Sequence, residues 1–308
     1  MRTGYGGCVV LGAVVAAAVP SAVHARPAAA AGVPRVCALA KDMRASALFS
    51  VPFRVVDGRI YVEVKVDGKG PFPFAVDTGA GGMGRADASL VADLGLALTG
   101  SGQTSDGVAT ADVRTVRLSS VEIGGFVRRD LEVATRDYSG KLTREAAFAG
   151  ILGREFFADG LLVIDYPAQR LTFSRGALAP GQEGVLAYER PFRVPVTIGG
   201  VATEGNLDTG ANVTFVLPKP LFDRVGAGAA IREAGAGKLT NTIVRTGSAT
   251  VAGPFRIGAE TLADVEVRVS DRYPELLVGA HALQHFRLLI DQRSKSVALC
   301  PPAASSRR

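Results

Sequence analysis

The chain has 308 residues, 47% hydrophobic and 21% charged, and these proportions exclude fibrous and disordered classes in favour of one large globular unit or two intimate ones. With 37 glycines, 16 prolines, 6% aromatic residues and no tryptophan, many short strands and tight turns are expected in place of long helices. The formal charge of +6 is spread without a basic block, so a solvated surface accounts for it and no nucleic-acid partner is expected.

Arg2 is followed by an apolar run from Cys8 to Val19 and then by small residues ending Val23-His24-Ala25, the layout of a secretory signal peptide cleaved after Ala25. The run is short for a membrane span, so an exported product, periplasmic or secreted, without stable membrane insertion is expected. Removing that segment leaves two cysteines, Cys37 and Cys300, in a compartment where thiols oxidise, and a disulfide between them is predicted. Residues 26–49 form an Ala/Pro-rich lead-in.

Next comes Ile60 to Val66, with Val62, Val64 and Val66 at period two, the turn Asp67-Gly68, and an apolar run Phe72 to Val76 that ends on Asp77-Thr78-Gly79. This reads as a β-hairpin delivering a tripeptide to a loop. The same pattern recurs as Val194 to Ile198, a Gly199-Gly200 turn, and a run ending Leu207-Asp208-Thr209-Gly210. Each tripeptide is followed by a short predicted helix, Ala88 to Leu96 or Pro218 to Val225, and by a glycine-bearing segment, Gly102 to Gly107 or Gly235 to Gly237. Each half then reaches two apolar residues plus glycine, Ile151-Leu152-Gly153 or Leu277-Val278-Gly279, and a strand with one acid, Leu162 to Asp165 or Leu288 to Asp291. The near-constant separation of these pairs makes the chain one unit written twice. The predicted bounds are 1–25 for the signal peptide, 50–175 for the first lobe, 176–191 for a linker, 192–301 for the second lobe and 302–308 for a flexible tail.

An aspartate at the end of an apolar strand, followed by a small hydroxyl residue and a glycine, sits at the tip of a tight loop that another backbone can approach closely. Two such loops related by a pseudo-twofold axis would bring Asp77 and Asp208 together. Carboxyl groups that close share a proton, and one then activates a water while the other protonates a carbonyl oxygen. No metal or other cofactor is required by that chemistry.

The segments Val76-Asp77-Thr78-Gly79-Ala80, Leu207-Asp208-Thr209-Gly210-Ala211, Ile151-Leu152-Gly153 and Leu277-Val278-Gly279 resemble the retropepsin-like aspartic peptidases in their fused two-repeat bacterial form, with pepsin-like enzymes as more distant relatives. The resemblance covers roughly residues 50 to 300 at motif level. It implies an all-β fold of two pseudo-twofold-related β-barrel lobes with short helices and a cleft between them, catalysis by Asp77 and Asp208, and loop support from Thr78, Gly79, Thr209 and Gly210. By that pattern the two apolar-apolar-Gly segments pass beside the Asp loops, and Thr78 and Thr209 cross-link them. Gln103-Thr104-Ser105-Asp106-Gly107 would be the tip of a flap over a peptide or protein substrate. The segment Ala80-Gly81-Gly82-Met83-Gly84 departs from the pattern in lacking a serine, and the flap candidate carries no tyrosine.

Other clusters read as structural. Asp165 and Asp291 precede polar turns, where a carboxylate caps the turn. His281 and His285 stand four apart, but Ala282 occupies the place of the glutamate that a zinc-binding pair of this kind carries, and no metal is expected. A serine hydrolase lacks its Gly-x-Ser-x-Gly turn here. A two-carboxylate glycosidase would leave the duplicated Asp-Thr-Gly loops unexplained and has no tryptophan for sugar stacking. The sequence therefore points to a monomeric aspartic endopeptidase, with a catalytically weak or inactive peptide-binding module of the same fold as the alternative.

Overall fold

The computed structural model describes residues 35–42, 46–138 and 143–302. The predicted signal segment 1–25, the start of the lead-in and residues 303–308 of the predicted tail lie outside them.

A short helix α1 (Val36–Asp42) precedes β1 (Ala47–Pro52) and β2 (Arg54–Val56), so regular structure begins inside the segment read as a lead-in. The alternating valines put one face of β3 (Arg59–Val66) into the core. Asp67 and Gly68, both at positive φ, then return the chain as β4 (Lys69–Val76). β5 (Gly84–Asp87) runs into α2 (Ala88–Leu94), where the Asp87 carboxylate accepts the Ser89 N–H at the N-terminus and left-handed Gly95 closes the other end. β6 (Leu98–Ser105), β7 (Thr110–Ile123) and β8 (Phe126–Arg136) form a meander. β9 (Gly150–Leu152), a 3-10 turn Arg154–Phe157, β10 (Leu161–Asp165) and β11 (Arg170–Ser174) end the first half.

The second half repeats the plan after β12 (Leu186–Ala187), a strand within the predicted linker. It comprises β13 (Arg193–Ile198), β14 (Val201–Asp208), β15 (Phe215–Pro218), α3 (Lys219–Val225), β16 (Arg232–Lys238), β17 (Ile243–Val251), β18 (Phe255–Ile257), β19 (Glu260–Leu262), β20 (Val265–Ser270), β21 (Leu276–Gly279), α4 (Ala280–Leu283), β22 (Arg287–Asp291) and β23 (Ser296–Cys300). The fold is all-β with short helices.

Three sheets result. An eight-stranded sheet runs β2-β3-β4-β9-β5-β8-β7-β6 and a nine-stranded sheet runs β16-β17-β20-β15-β21-β14-β13-β18-β19. The strands that carry Asp165 and Asp291 leave these two sheets and pair with each other, giving a third sheet of order β1-β11-β10-β22-β23-β12. In it Leu161 stands opposite Asp291 and Asp165 opposite Arg287, so the halves are hydrogen-bonded strand to strand. Val76, Leu152, Ile164, Leu207, Val278, Leu288 and Ile290 share one buried core. At roughly 1.5–3 kcal/mol for each large aliphatic side chain removed from water, that core ties the ends of β4 and β14 firmly in place. On the same sheet a smaller cluster holds Val36, Cys37, Leu161, Val163, Leu289 and Cys300. There Cys37 and Cys300 are disulfide-bonded with their Cα atoms 5.6 Å apart.

Candidate active site

β4 and β14 end on Val76 and Asp208 respectively, and each is flanked by a parallel strand that fixes where its loop emerges. Val76 stands opposite Leu152 on β9, and the Asp77 N–H donates to the Leu152 carbonyl at 3.1 Å. In the other half Leu207 stands opposite Val278 and Asp208 opposite Gly279 on β21. A side chain at Gly153 or Gly279 would run into the carbonyl oxygens of Gly82 or Val213, so only glycine lets these strands pass under the loops. The segments Ile151-Leu152-Gly153 and Leu277-Val278-Gly279 therefore lie directly beside the two Asp loops.

The loops meet face to face. A Cβ placed on Gly79 would lie 2.6 Å from Cγ of Asp208, and one on Gly210 would fall on the Asp77 carboxyl. Reciprocal hydrogen bonds brace them. The Thr78 N–H donates to Thr209 Oγ1 at 3.1 Å and the Thr209 N–H to Thr78 Oγ1 at 3.0 Å. The hydroxyls continue across: Thr78 Oγ1 donates to the Leu207 carbonyl at 3.0 Å and Thr209 Oγ1 to the Val76 carbonyl at 2.8 Å. Both threonines are buried, so each hydroxyl meets its donor and acceptor needs inside the protein.

The carboxyl groups differ in their surroundings. Asp77 Oδ1 accepts two N–H groups, from Gly79 at 2.8 Å and Ala80 at 2.9 Å. Asp208 Oδ1 accepts one, from Gly210 at 2.8 Å. Burial and then the charge of Asp77 push the Asp208 carboxyl well above the usual carboxylate range, while the Gly210 N–H opposes the shift. A side-chain hydrogen bond with Asp77 adds to it. Burial and the neighbouring carboxyl thus favour the protonated form of Asp208.

The β6–β7 hairpin crosses from the first sheet toward the second. Gln103, Thr104 and Ser105 lie on β6 and Asp106 and Gly107 in the turn. Its tip is clasped by Asn241 from the β16–β17 turn. Asn241 Nδ2 donates to the carbonyls of Thr104 at 2.7 Å and Ala109 at 2.9 Å, and the Asn241 N–H donates to Asp106 Oδ2 at 2.7 Å. Arg136 joins the clasp through the Thr240 carbonyl at 2.8 Å, Thr104 Oγ1 at 2.8 Å and Asn241 Oδ1. The glycines Gly235 and Gly237 lie within β16, and the turn of that second hairpin is at residues 239–242, where the Leu239 N–H donates to the Thr242 carbonyl.

Four further polar residues stand beside the second loop. Arg59 donates through Nε to the Gly210 carbonyl at 2.6 Å and through its terminal nitrogen to Asn212 Oδ1 at 3.0 Å. Asn212 Nδ2 donates to Asp57 Oδ2 at 2.5 Å, and Asp57 Oδ1 pairs with His281 Nε2 at 3.0 Å. The helical spacing read for His281 and His285 is not realised, because α4 ends at Leu283. Asp165 and Asp291 accept N–H groups of the turns that follow them, from Ala168 and Arg293. Sequence reasoning did not single out Arg59, Asn212, Asn241 or Arg136. Asn241 in Thr240-Asn241-Thr242 carried a turn signal, and Arg59 a charged residue opening an apolar strand.

The two Asp-Thr-Gly loops thus set their carboxyl groups facing each other at the ends of β-strands. Residues 62–156 match the family model described as Aspartyl protease. The match runs from β3 to the 3-10 turn and supports assignment of the chain to the retropepsin-like aspartic peptidases, and with it aspartic protease activity in general. No curated protein matches the chain. Among the described residues no helix is long and apolar enough to cross a membrane, and the Cys37–Cys300 disulfide is compatible with export.

Proposed function

We propose that the protein is an exported aspartic endopeptidase in which Asp77 and Asp208 act as one proton-sharing pair. The observation that carries this reading is the face-to-face placement of the two carboxyl groups by the Thr78–Thr209 brace. A water between them gives a proton to Asp77 as its oxygen attacks the carbonyl carbon of a peptide bond, and Asp208 gives its proton to the carbonyl oxygen. Asp77 then protonates the amide nitrogen, one hydroxyl of the tetrahedral intermediate returns a proton to Asp208, and the C–N bond breaks to an acid and an amine. Beside the first loop, the partly buried Ala80, Tyr138 and Phe148 pack on a buried cluster of Tyr61, Ala75 and Ile151, and this apolar character next to Asp77 supports peptides with apolar side chains as substrates.

The test is replacement of each aspartate by asparagine, with a diverse peptide pool read by mass spectrometry across pH 3 to 8. Each single variant should lose at least about a thousandfold in kcat, roughly 4 kcal/mol, and the double variant should be little worse. The wild-type rate should follow a bell in pH whose alkaline limb lies above the ordinary carboxylate range, because Asp208 is raised. A folded Asp208→Asn protein retaining more than about a tenth of wild-type turnover would sink this mechanism. A wild-type protein that binds peptides without cutting them is a binding module instead.

A further inference from the structure

Tyr273 belongs to the segment 271–275 between β20 and β21, in the opposite half from the β6–β7 hairpin. The residue is 8% exposed and its ring lies under the tip of that hairpin. A Cβ built on Gly107 would stand 3.5 Å from Cε2 of Tyr273 and 4.0 Å from both Cζ and the hydroxyl oxygen. The hydroxyl end of the ring, not its base, therefore meets the turn. The segment that presents it is anchored at both ends. The N–H groups of Arg272 and Tyr273 donate to Ser270 Oγ at 3.2 and 3.1 Å, and Glu275 is ion-paired with Arg193.

The hydroxyl itself has no hydrogen-bond partner among the described residues. Among the described residues the hydroxyls of Tyr61 and Tyr166 are unpaired and sealed from solvent, and that of Tyr273 does not belong to this sealed set. Burial first, then the charges of Asp208 and Asp106, raise its pKa, so it remains a neutral donor at every pH at which a carboxyl pair works. The segment leads into β21, which runs beside β14 with Gly279 opposite Asp208, so the ring stands between the hairpin tip and the Asp208 half of the site. An unpaired donor on a buried ring held at both ends of its segment is a group poised to be satisfied by a ligand. Packing under Gly107 accounts for the ring and leaves the hydroxyl unexplained, since phenylalanine would fill that space equally well.

We propose that Tyr273 is a positioning residue of the cleft, its hydroxyl donating a hydrogen bond to a backbone carbonyl oxygen of a peptide bound beneath the β6–β7 hairpin on the Asp208 side. The proposal rests on the reading of the site as a peptide cleft and adds to it a residue outside the duplicated motifs. Because the donor acts on the bound backbone and not on the reacting atoms, its loss should appear as weaker binding, with turnover at saturation nearly unchanged.

The test compares the full chain with its Tyr273→Phe and Tyr273→Ala variants. Calorimetry would measure the affinity for a non-cleavable hexapeptide of valine and leucine side chains bearing a hydroxyl at the position of the scissile carbonyl. Tyr273→Phe should bind it about threefold to tenfold more weakly, with unchanged melting temperature and unchanged amide exchange at residues 106–109. Tyr273→Ala, which also removes the ring beneath Gly107, should speed that exchange. An affinity of Tyr273→Phe within threefold of wild type overturns the proposal, as does exchange in Tyr273→Phe as fast as in Tyr273→Ala, which would make the hydroxyl structural. Wild-type protein that binds the analogue and cuts no peptide sinks the peptidase reading alone, and wild-type protein that does not bind it sinks both.

Discussion

The two Asp-Thr-Gly loops share a backbone path and differ in what holds them. The first is followed by Ala80-Gly81-Gly82-Met83 and is supported from its own half. Arg85 donates to the carbonyls of Gly81 at 2.7 Å and Gly84 at 2.9 Å, and the Arg154 guanidinium lies over Gly81. The second is followed by Ala211-Asn212-Val213-Thr214 and is supported from the opposite half, by Arg59 on its Gly210 carbonyl and on Asn212. A duplicated unit has thus kept the symmetric brace at its centre and lost symmetry one residue shell further out. The consequence is chemical. The Asp77 carboxyl collects two N–H donors and the Asp208 carboxyl one, and burial beside Asp77 favours the protonated form of Asp208.

The symmetric part should fail most severely and equally from either side. Thr78→Val and Thr209→Val each strip a buried N–H of the other loop of its acceptor and free a buried carbonyl, which costs about 2–4 kcal/mol in urea unfolding. The double variant should fall short of the sum, because both changes break one network. Two single variants differing by more than about 1 kcal/mol would show that the brace is not shared equally.

The asymmetric part should appear in the pH dependence of stability. Asp208 has a folded pKa raised above its unfolded value, so its charge costs stability in a window that opens at the unfolded carboxyl pKa and is complete above the folded one. Below the unfolded value that cost is absent. Asp208→Asn should therefore melt a few degrees above wild type at pH 8 and at the same temperature at pH 3. Asp77→Asn removes the same like-charge repulsion and also weakens the acceptor of two N–H groups, so its gain at pH 8 should be smaller. Equal gains from the two variants in thermal melts would show that the unequal N–H support of the two carboxyl groups does not distinguish them.

Strand periodicity and the duplicated tripeptides were legible in the sequence because they report local geometry. Val62, Val64 and Val66 alternate because β3 does, and glycine follows each apolar pair because a backbone passes within contact of it. Arg59 was not legible, since its partner Gly210 is 151 positions away and no local period encodes a contact between halves. Asn241 was hidden for the same reason, 137 positions from Thr104. The second glycine-bearing segment, Gly235 to Gly237, sits within β16, where the pairing with β17 shifts register between Glu233 and Ala236 and Gly235 takes a positive φ, so these glycines mark a strand irregularity and not the turn. The joining of Leu162 to Asp165 with Leu288 to Asp291 in one sheet was equally unreadable, since either run could have closed its own half.

A smaller effect is expected where one half supports the other's loop. Arg59→Met removes both contacts to the second loop and leaves the first loop's own arginines in place, so kcat/KM should fall about tenfold, or 1.4 kcal/mol, with little change in unfolding. Arg59→Lys should not restore it, because one ammonium cannot reproduce the fork that meets a carbonyl and a carboxamide together. Full activity of either variant in steady-state kinetics would show that support from the opposite half is dispensable.

The smallest effect concerns the hairpin clasp, another place where the halves touch asymmetrically. Asn241→Ala deletes two donors to the β6–β7 tip and leaves the Asn241 N–H on Asp106. The hairpin should loosen without coming free, with amide exchange at residues 104–109 faster by about tenfold, KM raised less than about fivefold and kcat unchanged. Acid should loosen the wild-type clasp in the same way. Burial alone would raise the Asp106 carboxyl, but N–H bonds from Ala109, Asn241 and Val108 outweigh it and hold the group below the usual carboxylate range. The stability it contributes is present above the unfolded pKa and is lost as pH falls through the lower folded value. Exchange at 104–109, corrected for its intrinsic pH dependence, should therefore accelerate only below the ordinary carboxylate range. In Asp106→Asn it should be fast at every pH. If exchange at these residues is instead already fast in the wild type at neutral pH, the clasp does not hold the hairpin down, and the hairpin moves independently of the half it touches.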